Sequence, residues 1–113
     1  MKDFLFVYRA DYTVPPQGTP EQMQAMMKLW MDWLGSIGAQ GKLKSPGHRL
    51  ENGGKVVRPN NVITDGPYAD IKESIGGYSI VTVATIEEAA EIAKGCPIYM
   101  MGGNVEVREV ASM

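Results

Sequence analysis

The chain has 113 residues, 44% of them hydrophobic, which is one domain's worth of sequence with apolar content for a modest core. A balance of 11 basic and 13 acidic residues, formal charge -2, supplies no basic face for nucleic acid, so no direct nucleic-acid partner is expected. One cysteine and one histidine exclude an intrachain disulfide framework and leave a nitrogen/sulfur zinc site short of ligands, and no loop has the alternating acids of a calcium site, so no metal or cofactor is expected.

Phe4, Phe6 and Tyr8 alternate with Leu5, Val7 and Arg9, predicting a first strand that is largely apolar on both faces. This run is too short for a secretory or membrane segment, and the lone Cys96 suits a reducing compartment, so a cytoplasmic protein with no membrane contact is expected. Asp11 to Gly18 reads as a loop. Thr19-Pro20-Glu21-Gln22 then supplies a cap, a proline at the first helical position and a glutamine three residues after the cap. The helix that follows is expected to bury Met23, Met26, Met27, Trp30, Leu34 and Ile37 and to end near Gly38, with Trp33 off the centre of that stripe.

From Gly41 to Glu51 the pattern turns to β, and Asn52-Gly53-Gly54 before Lys55-Val56-Val57-Arg58 reads as a hairpin turn. Pro59-Asn60-Asn61 breaks the run ahead of Val62-Ile63. Asp65 then sits at a Gly66-Pro67 corner stiffened by the proline ring. Gly76-Gly77, at the entrance to a strand ending at Val83, permits positive φ, a bulge or close approach of another segment. Thr85-Ile86-Glu87-Glu88 predicts a second capping box, opening a helix with Ile86, Ala89, Ala90 and Ala93 inward, and Asn104 to Val110 is the last strand.

This order, β-α-β-β-α-β with a hairpin elaboration, predicts a single α+β domain over residues 1–113 of the ferredoxin-like, split βαβ kind. Two helices cover one face of the antiparallel sheet. The other face carries apolar residues too, so a homodimer pairing sheet against sheet is expected.

Asp65-Gly66-Pro67-Tyr68, then Lys72-Glu73, Ile75-Gly76-Gly77-Tyr78 and the closing Gly102-Gly103-Asn104-Val105-Glu106-Val107-Arg108-Glu109-Val110, resembles the YCII-related family, in particular its Asp-Gly-Pro-Phe (DGPF) branch, with Tyr68 in place of the usual Phe. The resemblance spans most of the chain. It implies a ferredoxin-like fold pairing as a dimeric α/β barrel, and either small-molecule chemistry of the lyase or dehalogenase type or a non-catalytic regulatory module linked to sigma-factor-dependent transcription.

Asp65 is the leading candidate for a general base or polar anchor, and it equally suits a structural turn. His48, of the one side-chain type that titrates near neutral pH, is the candidate to assist it, with an exposed strand histidine as the plainer reading. Arg9 and Lys72 are candidates to hold an anionic small-molecule ligand, and Tyr68, Tyr78, Gly76 and Gly77 to line its pocket. Relatives with proposed lyase chemistry use a His-Asp pair whose histidine lies near the first strand and helix, and the stretch Arg9 to Thr19 holds none.

Overall fold

A computed structural model describes residues 1–12, 18–66 and 73–112. Strand β1 (Lys2–Ala10) is followed by helix α1 (Pro20–Ala39) and the short strand β2 (Leu43–Ser45). Strands β3 (Lys55–Arg58) and β4 (Val62–Asp65) come next, then β5 (Ser74–Val83), helix α2 (Ile86–Ala93) and β6 (Asn104–Glu109).

The main sheet runs β2-β5-β1-β6, antiparallel at each pairing, with the first and the long fifth strand in the centre. Both helices lie over one face of it. This is a mixed α+β arrangement consistent with a ferredoxin-like fold.

The pleat explains which face is dry. Phe4, Phe6, Tyr8 and Ala10 alternate onto the helix side of β1, where Val81 and Ser79 of β5 and Val107 of β6 are their cross-strand partners. Ile37, Ala89 and Ala93 close that side from the helices, and Cys96 and Ile98 from the 3-10 segment Pro97–Met101 and its cap. The opposite face bears Asp3, Leu5, Val7 and Arg9, with Thr82, Ile80 and Tyr78 opposite the first three.

Local signals in the sequence set the helix starts. Thr19 and Gln22 form a complete, reciprocal capping box at α1. At α2 only half the expected box closes: Thr85 accepts from the Glu88 amide, while the Glu88 carboxylate turns to Lys42 at 3.9 Å.

Burial departs from the expected stripes in a way the sheet explains. On α1, Met26, Trp30, Leu34 and Ile37 turn inward as expected, but Met23 and Met27 are exposed. Trp33, expected off-centre, packs with its ring 6.2 Å from Phe6 and donates Nε1–H to the Ile92 carbonyl at 3.2 Å, tying α1 to α2. On α2, Ala89 and Ala93 are buried, but Ile92 packs on the core in place of Ile86 and Ala90.

The hairpin also lies elsewhere than expected. Its strands are β3 and β4, in register from Lys55↔Asp65 to Arg58↔Val62, and its turn is Pro59–Asn61 rather than Asn52-Gly53-Gly54. Asn60 and Asn61 adopt φ of 67° and 63°, the left-handed geometry that asparagine tolerates better than other side chains.

Inside the core, two hydroxyls form a chain. Tyr8 donates to Ser79 Oγ at 2.7 Å, and Ser79 donates to the Pro46 carbonyl at 2.7 Å. Burial raises the Tyr8 phenol above its ordinary pKa, the Ser79 bond partly opposing this, so at neutral pH it is a donor. Ser79→Ala leaves both neighbours without their partner and is expected to cost about 1–3 kcal/mol in denaturant unfolding. In a double-mutant cycle, Tyr8→Phe should restore part of that loss, whereas strict additivity would show that the chain carries no coupling.

Candidate functional site

The pairing of β1 with β5 slips by one residue near its end. Tyr8 lies opposite Gly77 and Arg9 opposite Ile75, so Gly76 is the extra residue of a β-bulge. Three neighbouring glycines are needed here because the chain closes on itself. A β-carbon on Gly76 would overlap the Tyr12 ring, and one on Gly77 would press on the His48 carbonyl. Gly47, at φ 71°, lies so tightly on the Tyr78 carbonyl that no side chain fits.

The segment from Pro46 to Leu50 is thereby laid along the start of β5. Leu50 N–H donates to the Gly76 carbonyl at 2.8 Å, Tyr78 N–H donates to the His48 carbonyl at 3.2 Å, and Arg49 bridges Gly77. Alternation then sorts the side chains onto two faces. Tyr12 packs against the helix-side core, and Arg49, opposite Gly77, lies close enough to Tyr12 to oppose the rise in phenol pKa that burial causes. His48 falls on the open side with Tyr78, their rings 6.1 Å apart and edge-on at 63°.

The expected site residues are only partly gathered by this geometry. His48, Tyr78 and Arg9 share the open face. Arg9 is already engaged, donating Nε–H to Glu106 Oε1 at 3.0 Å and Nη1–H to the Glu73 carbonyl at 2.8 Å. Its hydrogen bond holds the Glu106 carboxyl below the usual carboxylate range, assisted by Arg108. Gly76 and Gly77 are buried under the protein's own atoms. Asp65, the last residue of β4, has a side chain 84% exposed and pairs with Lys55 across the hairpin. Among the described residues no hydrogen bond joins Asp65 to His48, and Tyr68 and Lys72 lie outside those residues.

Compared with known proteins, the whole chain, residues 1–113, matches the YCII-related domain. The chain belongs to the YCII-related family. Its structure is similar to that of 5-chloro-2-hydroxyhydroquinone dehydrochlorinase from Burkholderia phenoliruptrix, solved in complex with 2,5-dihydroxybenzoquinone, at 16% identity and a TM-score of 0.45, covering 97% of this chain and 95% of that one. So distant a likeness carries no argument about activity. No curated protein matches the sequence.

Several residues that shape this part of the YCII-related chain escaped the sequence reading. Tyr12 and Arg49 flank the bulge from the helix side, and Asn52 donates to the Tyr12 carbonyl at 3.2 Å. Behind them Tyr8 sits edge-on to Trp30 at 4.9 Å, with Trp33 6.2 Å away. The available signal was the Gly-Gly pair itself, since a buried glycine in a strand implies a bulky neighbour seated on it. Cys96 is buried and its thiol pKa is pushed up to about 12 by that burial, so it takes no part as a thiolate. Among the described residues no cluster of three or more histidine, cysteine or acidic side chains could hold a metal ion, and no helix is long and apolar enough to cross a membrane.

A test of the bulge is direct. Gly76→Ala is expected to lower stability by about 1–3 kcal/mol through overpacking against Tyr12. Adding Tyr12→Ala should then cost less than it does in the wild-type background, measured by urea unfolding; equal costs in both backgrounds would show that the ring does not set the requirement for glycine.

Proposed function

We propose that this YCII-related protein, of the family's Asp-Gly-Pro branch, binds a small molecule on the open face of the sheet beside the Gly76 bulge, and does so as a homodimer. The observation that carries this reading is the His48 imidazole. It stands exposed against the Tyr78 ring, and among the described residues no hydrogen bond or ion pair engages it. A histidine placed on an aromatic wall with free nitrogens is suited to exchange a proton with a bound ligand.

The chemistry such a site supports is elimination of the lyase or dehalogenase type. The imidazole takes a proton from the carbon adjacent to the one bearing the leaving group, the C–H electron pair forms the new double bond between those two carbons, and the leaving group departs with the electrons of its own bond to carbon. Asp65 is the second acid-base group in this reading, carried on the β3–β4 hairpin. Arg9 holds Glu106 and the start of β5 in place and so shapes the site's floor.

The proposed dimer uses the same face. Leu5, Tyr78 and Ile80 keep part of their apolar surface open around the already buried Val7, forming a centre rimmed by Asp3, Lys44 and Arg108. A second copy stacked on that centre removes the remaining surface from water, adding only part of the roughly 1.5 to 3 kcal/mol that full burial of a large apolar side chain contributes. Between two such faces a ligand at the bulged end would be walled on both sides.

Screening a small-molecule library by NMR should find ligands that shift the His48 and Tyr78 ring signals together. His48→Ala is expected to weaken those ligands at least about tenfold, a loss of about 1.4 kcal/mol, while leaving the fold intact. Ligands that bind the variant as tightly as the wild type would remove His48 from the site.

A further inference from the structure

Among the described residues the β3–β4 hairpin stands apart from the main sheet. Among the described residues its two strands of four residues pair with each other alone, forming a separate two-stranded sheet. A ribbon of that size is at best marginally stable by itself in water. It is not polar on both sides, as a free ribbon would be. Val57 and Ile63 form a cross-strand pair that is 73% and 61% exposed, and Val62, on the other face, is 47% exposed.

The whole chain shows the same deficit. It exposes 7953 Å², whereas a folded monomer of 12.4 kDa is expected to expose about 6,100 Å². Its radius of gyration is 15.5 Å, against about 13 Å for a compact domain of similar length. The surplus surface, on the order of 1,800 Å² per chain, is in the range that permanent dimers bury.

We propose that this hairpin is an exchange arm: in the dimer, the Val57–Ile63 face of each copy lies on the other copy. The occupant is a second copy of this chain because the missing area matches what an obligate dimer covers. The arm also springs from the dimer's proposed seam. Its base is closed by Gly66 N–H donating to the Gly54 carbonyl at 2.7 Å, and Gly54 follows the segment that lays His48 along β5. The Lys55–Asp65 ion pair sits on the same arm face as Val57 and Ile63, one pleat nearer the base. The partner's surface therefore comes up against Asp65, and the arm adds a carboxylate to a seam between copies. This inference rests on the sheet-to-sheet homodimer and adds which segment crosses it.

The experiment compares wild type with two variants of the full chain by sedimentation velocity over nanomolar to micromolar concentration. In the first variant, Val57→Lys and Ile63→Lys charge the arm face; the dimer dissociation constant is expected to rise at least about 100-fold, with circular dichroism of the main sheet unchanged. The second, Val57→Cys labelled with a benzophenone maleimide, is irradiated in the dimer; the buried Cys96 stays unlabelled, and crosslinked pairs of chains are expected. A wild-type dimer that neither weakens with the charged arm nor yields interchain crosslinks overturns the arm and leaves the sheet-to-sheet reading standing. Wild type sedimenting as a single chain at micromolar concentration overturns both.

Discussion

The one-residue slip between β1 and β5 is the constraint on which the rest of the arrangement depends. Strand side chains alternate with a period of two, so an extra residue at Gly76 reverses the face of everything on one side of it relative to an unbroken ladder. Beyond the slip, Ser74 meets Ala10 on the helix side, and Arg9 is free to reach Glu106 on the open side. Before it, Ser79 faces Phe6 and hydrogen-bonds Tyr8, while Tyr78 faces Val7 on the open side. Glycine is the only residue that lets the slip coexist with the Tyr12 ring above it and the His48 backbone beside it.

The two faces that result have different physical characters. On the helix side the polar groups are few and satisfied: Tyr8, Ser79 and Pro46 form a closed chain, and Trp33 caps a helix carbonyl. Aromatic rings fill the space around them at edge-on and stacked distances. That side is built for stability, because its buried hydroxyls Tyr8 and Ser79 and the Trp33 N–H all have acceptors. The open side mixes apolar centres with ion pairs, Asp3 with Lys44 and Arg9 with Glu106, and it holds an imidazole with no partner among the described residues. The open side thus keeps hydrogen-bonding capacity, at His48, that the paired core hydroxyls do not.

What could be read from residues alone was what local geometry decides. Thr19 and Gln22 are three residues apart whatever the rest of the chain does, so the start of α1 was legible, as was the alternation that buries Phe4 and Phe6. Choices between two adequate local solutions were not. Asn52-Gly53-Gly54 and Pro59-Asn60-Asn61 both make turns, and the second won because the first segment's strand partner was β5, distant in sequence, rather than β3. The stripe on α1 had the right period, but near its start only Met26 turns inward, and Met23 and Met27 are left 48% and 63% exposed. Gly76-Gly77 signalled a close approach without saying that Tyr12 and the His48 backbone would be what approached. For Asp65, the proline corner pointed to a stiff carboxylate and could not show that it would stand on a separate ribbon.

That last difference bears on how the carboxylate could be held. Ordering the eleven residues from Lys55 to Asp65 costs about 1–2 kcal/mol of backbone entropy each, and the exposed Lys55–Asp65 pair returns little of it. Backbone pairing across four residues and one apolar side-chain pair facing water do not suffice alone. On the exchange-arm proposal, the order of this segment is coupled to the second copy lying on Val57 and Ile63. If a second copy covers them, association and the placing of Asp65 are one equilibrium, and dilution loosens the carboxylate before it unfolds the central strands, whose packing lies within a single chain.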